Sequence, residues 1–305
     1  MARFSITLAQ LGYFAACART LNMTAASQEL HVAQSAVSSS ITQLERALGT
    51  SLFIRRHAKG LVLTPAGERL QQETALLFDQ LDSMIDAIQA DAAALRGTLR
   101  VAVFDTLTPT FLPQVMSHIA REHPELSLEV FGGDHEQNLA DLRTGRAEVA
   151  ITYEFSAADD IVTAPLGAIR PYIIVADTSR FAKRKRVHLS ELVDEPFVLL
   201  DLPDSREYFL TLIRTAGGTP QIRYKTPNFE ALRSMVASGM GYSILNQQPA
   251  FDTTYAGPRA IALEIADEVP SLRLVIAQLR QTRPTARSRA FVEIVQQVLK
   301  ESNAS

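Results

Sequence analysis

The feature that most constrains the fold is the close succession of three helical patterns within the first fifty residues. Apolar side chains recur at helical spacing, first at Leu8, Leu11, Phe14, Ala15 and Ala18, then within residues 25–30, then at Ala36, Val37, Ile41, Leu44 and Leu48. Only residues 31–34 separate the second pattern from the third, so these helices must cross sharply, as in a helix-turn-helix. We predict Thr24 as the N-cap of the second helix and Gly49 as the end of the third.

The third helix would turn a polar face of small side chains toward solvent. Such groups can approach base edges and phosphates in the major groove, so we predict that this helix reads DNA. Residues 52–54 and 61–63 look like two short strands joined by a basic tip, which suits the DNA backbone or minor groove. A solvated basic hairpin is the alternative, and the position after a helix-turn-helix favours DNA. The predicted DNA-binding residues are Thr24, Gln34, Ser35, Ser38, Ser39, Thr42, Gln43, Arg46, Arg55, Arg56 and Lys59.

The distribution of charge fits this interpretation better than the net charge of −3 does. Residues 1–64 carry six basic and two acidic side chains, whereas residues 65–95 carry one basic and six acidic side chains. A basic module followed by an acidic helix is typical of a unit that faces phosphates and is held on a solvated spacer. An ordinary uneven distribution of charge remains the alternative.

The N-terminal module resembles the winged helix of LysR-type transcription regulators. The matching residues are Phe14, Thr24-Ala25-Ala26, Leu30-His31-Val32, Gln34, Ala36-Val37-Ser38, Leu44-Glu45, Leu48-Gly49, Leu52-Phe53, Arg55, Leu63-Thr64 and Ala66-Gly67. Three positions depart from the family pattern: Ala33 replaces a usual capping Ser, Ser35 a usual Pro and Ser39 a frequent Arg. The first change loses a cap worth ~1 kcal/mol and the last a phosphate contact, so affinity and operator preference are not simply those of relatives.

A long helix follows the module. Thr64 and Pro65 predict its N-cap and first residue. Leu70, Leu77 and Met84 repeat every seven residues and alternate with Thr74, Leu81, Ile88 and Leu95, as in a coiled-coil seam. Burial against the chain's own body is the alternative, but the acidic remaining face favours pairing with a second copy. The resemblance implies a homodimer or homotetramer, and the predicted dimerisation residues are Leu70, Leu77, Leu81, Met84 and Ile88.

The rest of the chain alternates between strand and helix patterns. Residues 99–104, 127–131 and 148–152 predict strands, and residues 109–123 and 136–144 predict helices, which together imply a parallel α/β unit. A second unit has predicted strands at 172–176, 197–200, 221–225 and 242–245 and helices at 206–216 and 229–237. A final strand at 272–279 and a helix at 287–300 return to the first unit.

This pattern is similar to the two-lobed, periplasmic-binding-protein-like sensor of the same family. The predicted fold class is therefore a multidomain α+β chain with a winged helix-turn-helix, a linker helix and a two-lobed α/β domain. We expect these units at residues 1–64, 65–95 and 96–305. The first lobe would span about 96–165 and 270–305, and the second about 166–269.

Open α/β sheets bind ligands beyond the carboxyl ends of their strands. The predicted effector-binding residues are Asp105, Thr106, Leu107, Thr108, Tyr153, Asp201, Pro203, Ser205, Arg206, Thr226, Asn228 and Asn246. Helix starts at Thr108-Pro109 and at Asp204 or Ser205 would favour an anionic group that Arg206 clamps, whereas Asp105 and Asp201 suit an amine or hydroxyl. A zwitterionic effector and ordinary helix caps both stay open, and Asn246 either reaches the cleft or serves a turn.

Composition limits the other classes of function. The longest apolar runs fall short of the ~18 residues that span a bilayer, and the first residues lack a signal-peptide pattern, so we expect a soluble cytoplasmic protein without membrane contacts. The single cysteine, Cys17, excludes an internal disulfide and a CxxC metal site.

Two rivals compete with a regulator. An enzyme would need a nucleophile with its base, a metal cluster or a phosphate loop, yet the six histidines are scattered and no catalytic motif spacing occurs. A solute-binding protein shares the two-lobed fold but needs an export signal and no winged helix. We expect no catalytic residue, no metal and no cofactor apart from an effector. The expected partners are double-stranded DNA, a small-molecule effector and a second copy of the chain, with RNA polymerase as a further candidate.

Overall fold

The computed structural model describes residues 6–56, 60–88 and 95–304. The N-terminal module contains α1 (Leu8–Thr20), α2 (Met23–Glu29), α3 (Gln34–Leu48), β1 (Phe53–Arg56) and β2 (Gly60–Leu63). Helices α2 and α3 form the predicted helix-turn-helix, and β1 pairs with β2 in an antiparallel wing. The strands are longer than predicted, and the residues between them, 57–59, lie outside the described part of the chain.

The cap of α2 differs from the prediction. Asn22, not Thr24, is the N-cap, because its side-chain oxygen accepts hydrogen bonds from the backbone N–H groups of Thr24 and Ala25 at 2.9 and 3.2 Å. Leu21 just before it adopts a left-handed conformation with φ of 49°, which ends α1 and turns the chain. Thr24 is therefore the second residue of the helix, and its side chain is exposed.

The core of the module follows the helical spacing of the apolar residues. Phe14 of α1 packs with Val37, Ile41 and Leu44 of α3, and all of them are buried. Glu45 joins α3 to the wing, since its carboxylate accepts the backbone N–H of Leu52 at 2.7 Å. The predicted apolar stripe is too wide, because Ala36 and Leu48 face solvent.

The linker helix α4 (Pro65–Ile88) begins as predicted, with the Thr64 hydroxyl accepting the N–H of Gly67 at 3.0 Å. It continues to Ile88, and residues 89–94 lie outside the described ranges. Leu70 packs against the core of the winged helix, and Leu76 packs against the first lobe of the C-terminal domain. One helix thus contacts both folded units of its own chain.

The first lobe is built on a sheet in the order β4-β3-β5-β13-β6. Its elements are β3 (Gly97–Phe104), α5 (Thr108–Glu122), β4 (Leu126–Gly133), α6 (His135–Arg143), β5 (Val149–Tyr153), β6 (Ile161–Ile169), β13 (Leu272–Leu279) and α9 (Ala286–Ala304). Strands β3, β4 and β5 are parallel, as predicted, whereas β13 runs antiparallel to both β5 and β6. Apolar residues on β3 and β5 are almost completely buried, because helices cover both faces of the sheet.

The second lobe contains the remaining elements. They are β7 (Tyr172–Ala176), β8 (Arg186–Val187), β9 (Phe197–Leu200), α7 (Pro203–Thr215), β10 (Ile222–Thr226), α8 (Phe229–Ala237), β11 (Ser243–Leu245) and β12 (Ala260–Ile265). One sheet has the order β11-β7-β12-β8, and β9 pairs in parallel with β10. An isolated bridge between Phe197 and Tyr242 connects the two.

The sequence did not indicate β6, β8 and β12. Strand β6 is an edge strand that contains Pro165 and Gly167, residue types that weaken a strand pattern. Because β6 runs to Ile169, the approximate lobe boundary at residue 165 falls inside a strand of the first lobe. The predicted starts of α5 and α7 also shift, since Leu107 and Leu202 occupy their N-cap positions and carry hydrocarbon side chains. Thr108, Asp204 and Ser205 lie within the first turns instead of capping them.

Over the ranges that the structure describes, none of the helices combines the length and the apolar character that crossing a bilayer requires.

We predict that Ala33→Ser stabilises α3. Ala33 is the N-cap of α3 with an extended backbone, and a serine hydroxyl there can accept a backbone N–H of the first turn. The gain of ~1 kcal/mol corresponds to a roughly fivefold slower hydrogen exchange of the α3 amides, measured by mass spectrometry. Ala47→Ser, at an exposed position inside α3, is the control and should slightly speed the exchange. Equal effects of the two changes would contradict the role of position 33.

Candidate functional site

The exposed face of α3 is the candidate DNA-reading surface. The side chains of Gln34, Ser35, Ser39, Thr42, Gln43 and Arg46 are exposed, as the helical spacing predicts. Ser38 is half-buried, and the Thr42 hydroxyl donates to the Ser38 carbonyl at 2.9 Å. The face therefore offers mostly hydroxyl and amide groups, with Arg46 as its basic residue.

Two further side chains approach this face. Arg55 of the wing reaches Ser38, with its Nη2 atom 3.5 Å from the serine hydroxyl. Gln10 of α1, which sequence reasoning did not single out, donates to the Gln43 side chain at 3.3 Å. The signal for Gln10 was its place in the capping box with Thr7 at the start of α1. The side chain of Arg56 and the whole of Lys59 lie outside the described residues, so their predicted contacts remain predictions.

Between the two lobes lies a cleft that collects several of the predicted effector residues. Thr106 and Tyr153 enter it from the first lobe, and Ser205 and Asn246 from the second. Phe104, Leu200, Phe209, Phe229, Leu245 and Gln247 complete the lining. The space left inside is about 10 Å³, so the cleft is closed around its own side chains.

Tyr153 is the most deeply buried polar group of this lining. Burial raises the pKa of its phenol to about 12, which keeps the hydroxyl neutral, and hydrogen bonds to Gln247 and Thr106 partly offset this rise. A neutral phenol both donates and accepts a hydrogen bond. Tyr153 is therefore an uncharged polar anchor inside an otherwise aromatic and aliphatic pocket.

Three buried polar atoms, one in the cleft lining and two in the first turns of α5 and α7, lack a hydrogen-bond partner within the described part of the protein. They are the Thr108 hydroxyl oxygen, the Asn246 side-chain oxygen and one carboxylate oxygen of Asp204. A buried polar atom without a partner costs about 1–3 kcal/mol, so such atoms are rare unless something else binds to them. Two of these atoms can only accept, and they call for a ligand that donates hydrogen bonds.

The rim of the cleft is acidic. Partial desolvation of its carboxylate, and to a smaller extent the charge of Asp134, raise the pKa of Asp105, although the residue as a whole is exposed. Asp204 of the second lobe lies close enough to influence His135 of the first lobe, whose own pKa is lowered mainly by burial. The field at this rim disfavours a free anion and favours a donor or cation.

The predicted clamp at Arg206 is occupied by another side chain. Its guanidinium lies 2.5 Å from Asp201, and Lys225 lies 3.6 Å from the other oxygen of that carboxylate. Two residues that were expected to bind opposite ends of an effector therefore neutralise each other. The physical reason is proximity, because Asp201 immediately precedes α7 and Arg206 lies in its first turns.

The other predicted residues have mixed positions. Asn228 caps α8 by accepting the N–H of Ala231 at 2.8 Å, and the Thr226 hydroxyl accepts the N–H of Asn228 at 3.1 Å. Leu107 is buried in the core, whereas Asp105 and Pro203 are exposed. The cleft lining thus contains Thr106, Tyr153, Ser205 and Asn246 from the predicted set, and the remaining members lie outside this lining.

Gln247 is the polar cleft residue that sequence reasoning missed, beside five apolar ones, namely Phe104, Leu200, Phe209, Phe229 and Leu245. Its side chain donates to the Tyr153 hydroxyl at 2.9 Å and accepts from the Thr110 hydroxyl at 3.3 Å. These contacts join the second lobe to the first. The available signal was its position directly after Asn246, at the end of β11.

Within the described ranges, the search for three or more His, Cys, Asp or Glu side chains that could share a metal ion finds none. Cys17 is buried in the core of the winged helix, and burial raises the pKa of its thiol to about 11. A thiol with this pKa is almost entirely protonated at neutral pH and reacts slowly as a nucleophile.

We predict that Asn246→Leu stabilises the protein in the absence of a ligand. The change removes the unpartnered Asn246 oxygen and keeps a similar volume, so the free energy of unfolding should rise by about 1 kcal/mol. Urea denaturation of the C-terminal domain measures this change. Gln248→Leu, at the exposed next-but-one position, is the control and should have little effect. A destabilised Asn246→Leu variant would show that the amide oxygen has a structural partner.

Comparison with known proteins identifies a family for both the N-terminal and the C-terminal part of the chain. Residues 8–68 match the family model "Bacterial regulatory helix-turn-helix protein, lysR family", and residues 92–300 match the model "LysR substrate binding domain". A RuBisCO operon transcriptional regulator of Acidithiobacillus ferrooxidans is 28% identical over 94% of this chain and 92% of its own. A hydrogen peroxide-inducible genes activator of Dickeya chrysanthemi is 25% identical over 79% of each chain.

Solved structures that resemble this chain include members of the same family. The LysR family transcriptional regulator HinK of Pseudomonas aeruginosa is 30% identical, with a TM-score of 0.66 over 96% of this chain and 98% of its own. A full-length OxyR variant of the same organism is 24% identical, with a TM-score of 0.80 over 97% of this chain and 95% of its own. The second likeness concerns the fold alone.

Proposed function

The chain belongs to the LysR family of transcription regulators, and from that premise we propose a function for each of its domains. Helix α3 and the β1–β2 wing bind operator DNA, and a small molecule in the interlobe cleft modulates that binding. The observation that carries the second half of the proposal is the unpartnered side-chain oxygen of Asn246 in the cleft lining, together with those of Thr108 and Asp204 at the starts of α5 and α7. Relatives with this architecture are regulators, which favours the absence of enzymatic activity and of a cofactor.

The DNA-reading face of α3 supports recognition by hydrogen bonds more than by charge. Gln34 and Gln43 can contact adenine in the major groove through both side-chain atoms, and Ser35 and Ser39 can contact bases or phosphates. Arg46 and Arg55 supply the phosphate contacts of the described residues at this surface. A small number of basic contacts predicts a shallow dependence of affinity on salt.

Binding to the DNA upstream of the protein's own coding sequence tests this proposal. We expect a gel shift that survives an excess of unrelated competitor DNA at moderate salt, because specific complexes are typically about 10³-fold or more tighter than non-specific ones. Equal competition by unrelated DNA would overturn the assignment of α3 as a sequence reader.

Ser39→Arg tests the DNA-reading face of α3 by adding a basic side chain to it, which should strengthen DNA binding. The new guanidinium stands where relatives often carry arginine, so affinity should rise at low salt and the slope of log affinity against log salt should steepen by about one. Fluorescence anisotropy with labelled upstream DNA gives both quantities. Ser190→Arg, on the surface of the second lobe, adds the same charge away from α3 and should change neither.

Dimerisation through α4 is part of the same proposal. Leu77 and Leu81 are half-buried, and Met84 is 55% exposed in the single chain. Ile85, which the heptad pattern did not include, is also exposed, and together these residues form an apolar surface suited to a second copy. Leu70 faces the winged-helix core instead, and the side chain of Ile88 lies outside the described set. Assembly into a tetramer, contact with RNA polymerase and residence in the cytoplasm are further proposals.

The chemistry of the cleft indicates which class of effector can bind there. The lining is uncharged, the unpartnered atoms are mostly acceptors, and Arg206 is paired with Asp201. These features favour a small, uncharged or cationic hydrogen-bond donor over the anionic end of a zwitterion. When such a molecule enters, the angle between the lobes changes and the spacing of the two reading heads changes with it.

Several relatives are named as hydrogen peroxide-inducible activators, and this raises the question of thiol sensing. We propose that this chain does not use it, because its one cysteine, Cys17, is buried in the DNA-binding module with a raised pKa. Peroxide should leave the mass of the native protein at Cys17 unchanged, as measured by peptide mass spectrometry. Cys17→Ala should bind the upstream DNA as the wild type does, with and without peroxide. Rapid oxygen addition at Cys17 in the native protein would contradict the proposal.

A further inference from the structure

The side chain of Gln247 occupies the interlobe cleft as a bound ligand would. Its amide nitrogen donates to the Tyr153 hydroxyl at 2.9 Å, and its amide oxygen accepts from the Thr110 hydroxyl at 3.3 Å. Both partners belong to the first lobe, whereas Gln247 follows β11 of the second. One carboxamide thus uses its donor and its acceptor at the same time to join the lobes.

The backbone of Gln247 is held in place separately from its side chain. The Tyr172 hydroxyl donates to the Gln247 carbonyl at 2.6 Å, and Tyr172 begins β7 of the second lobe. The backbone contact therefore stays within the second lobe, and the carboxamide alone bridges to the first. If the side chain leaves, the backbone anchor remains and the Tyr153 hydroxyl loses its bond to Gln247 but keeps the one to Thr106. The Thr110 hydroxyl loses Gln247 as an acceptor and keeps the Leu107 carbonyl, 3.2 Å away.

The surroundings of this amide favour an uncharged group. The side chains that line the cavity are Phe104, Thr106, Tyr153, Leu200, Ser205, Phe209, Phe229, Leu245, Asn246 and Gln247, all of them neutral. Aromatic and aliphatic walls strengthen a hydrogen bond inside them and disfavour a buried charge. A carboxylate has the shape of a carboxamide but carries the charge that this pocket does not compensate.

We propose that Tyr153 and Thr110 form a subsite for an uncharged carboxamide or ureido group, which the Gln247 side chain fills when the cleft is empty. The proposal rests on the proposed function in one respect, namely that the interlobe cleft is the effector site. The effector then carries an amide-like group and binds by displacing Gln247. Since Gln247 competes from within the same molecule, it weakens effector binding and keeps the lobes closed until the effector arrives.

Chemical rescue tests the subsite without knowledge of the effector. Gln247→Ala removes a CH₂–CO–NH₂ group, for which free acetamide is the closest replacement, so acetamide can refill the vacated subsite. We expect acetamide to raise the melting temperature of the full-length Gln247→Ala variant in a saturable way. The wild type, whose subsite is occupied, should show no such rise, and acetate should not replace acetamide.

Matched variants separate the subsite from general effects of the additive. Gln248→Ala deletes the same group at the neighbouring exposed position and should behave as the wild type does. Tyr153→Phe in the Gln247→Ala background removes one partner of the amide and should abolish the rescue. If Gln247→Ala does not fold, Gln247→Ser, which keeps a small polar group, takes its place in the same titration.

The outcomes are distinct from those that test operator binding. Equal responses of Gln247→Ala, Gln248→Ala and the wild type to acetamide would overturn the subsite, as would equal rescue by acetate. Binding of each variant to the upstream DNA is measured in parallel by gel shift. Sequence-specific DNA binding without acetamide rescue would contradict the proposed subsite alone. Rescue without specific DNA binding would support the subsite and contradict the proposed function.

Discussion

The pairing of β6 with β13 places the two chain crossings between the lobes side by side and so defines how the lobes can move. Both strands belong to the sheet of the first lobe, and Ile169 at the end of β6 pairs with Leu272 at the start of β13. The chain therefore leaves and re-enters the first lobe at one point. In the second lobe, Tyr172 of β7 pairs with Glu264 of β12. The two short segments between these pairs, residues 170–171 and 265–271, therefore form a double-stranded hinge beside the cleft. Such a hinge allows rotation of one lobe against the other with little disturbance of either core.

The linker helix gives a movement of the lobes a route to the DNA-binding module. Leu76 of α4 packs against the first lobe, and Leu70 packs against the winged-helix core. Gly145, in a left-handed conformation with φ of +67°, lets the loop after α6 approach Ala75 so closely that a side chain would collide with it. The contacts of Leu70 and Leu76 both lie in the first half of α4, so this part of the helix can carry a rotation of the first lobe to α1 and hence to the orientation of α3 in a dimer.

The sequence predicts best what depends on local pattern. Strands such as β7, β9 and β13 match their predicted bounds because their mostly apolar runs bury both faces. The edge strand β6 was not predicted because it contains Pro165 and Gly167. Four of the ten residues that line the cleft, Thr106, Tyr153, Ser205 and Asn246, could be predicted from the positions that follow strands. The role of Gln247 could not, because its partners Tyr153 and Thr110 lie 94 and 137 positions away in the sequence. The pairing of Arg206 with Asp201 was missed for another reason, since both had been assigned to a ligand.

We propose that the state of the interlobe cleft sets the arrangement of the two reading heads on DNA. Hydroxyl-radical footprinting of the upstream DNA tests it most directly, with and without the metabolite that most raises the melting temperature of the full-length protein. A ligand at ~100 times its Kd adds ~2.7 kcal/mol, so a thermal screen can find it. We expect saturating ligand to change the protected length or the spacing of the protected half-sites. An identical footprint in both conditions would contradict it.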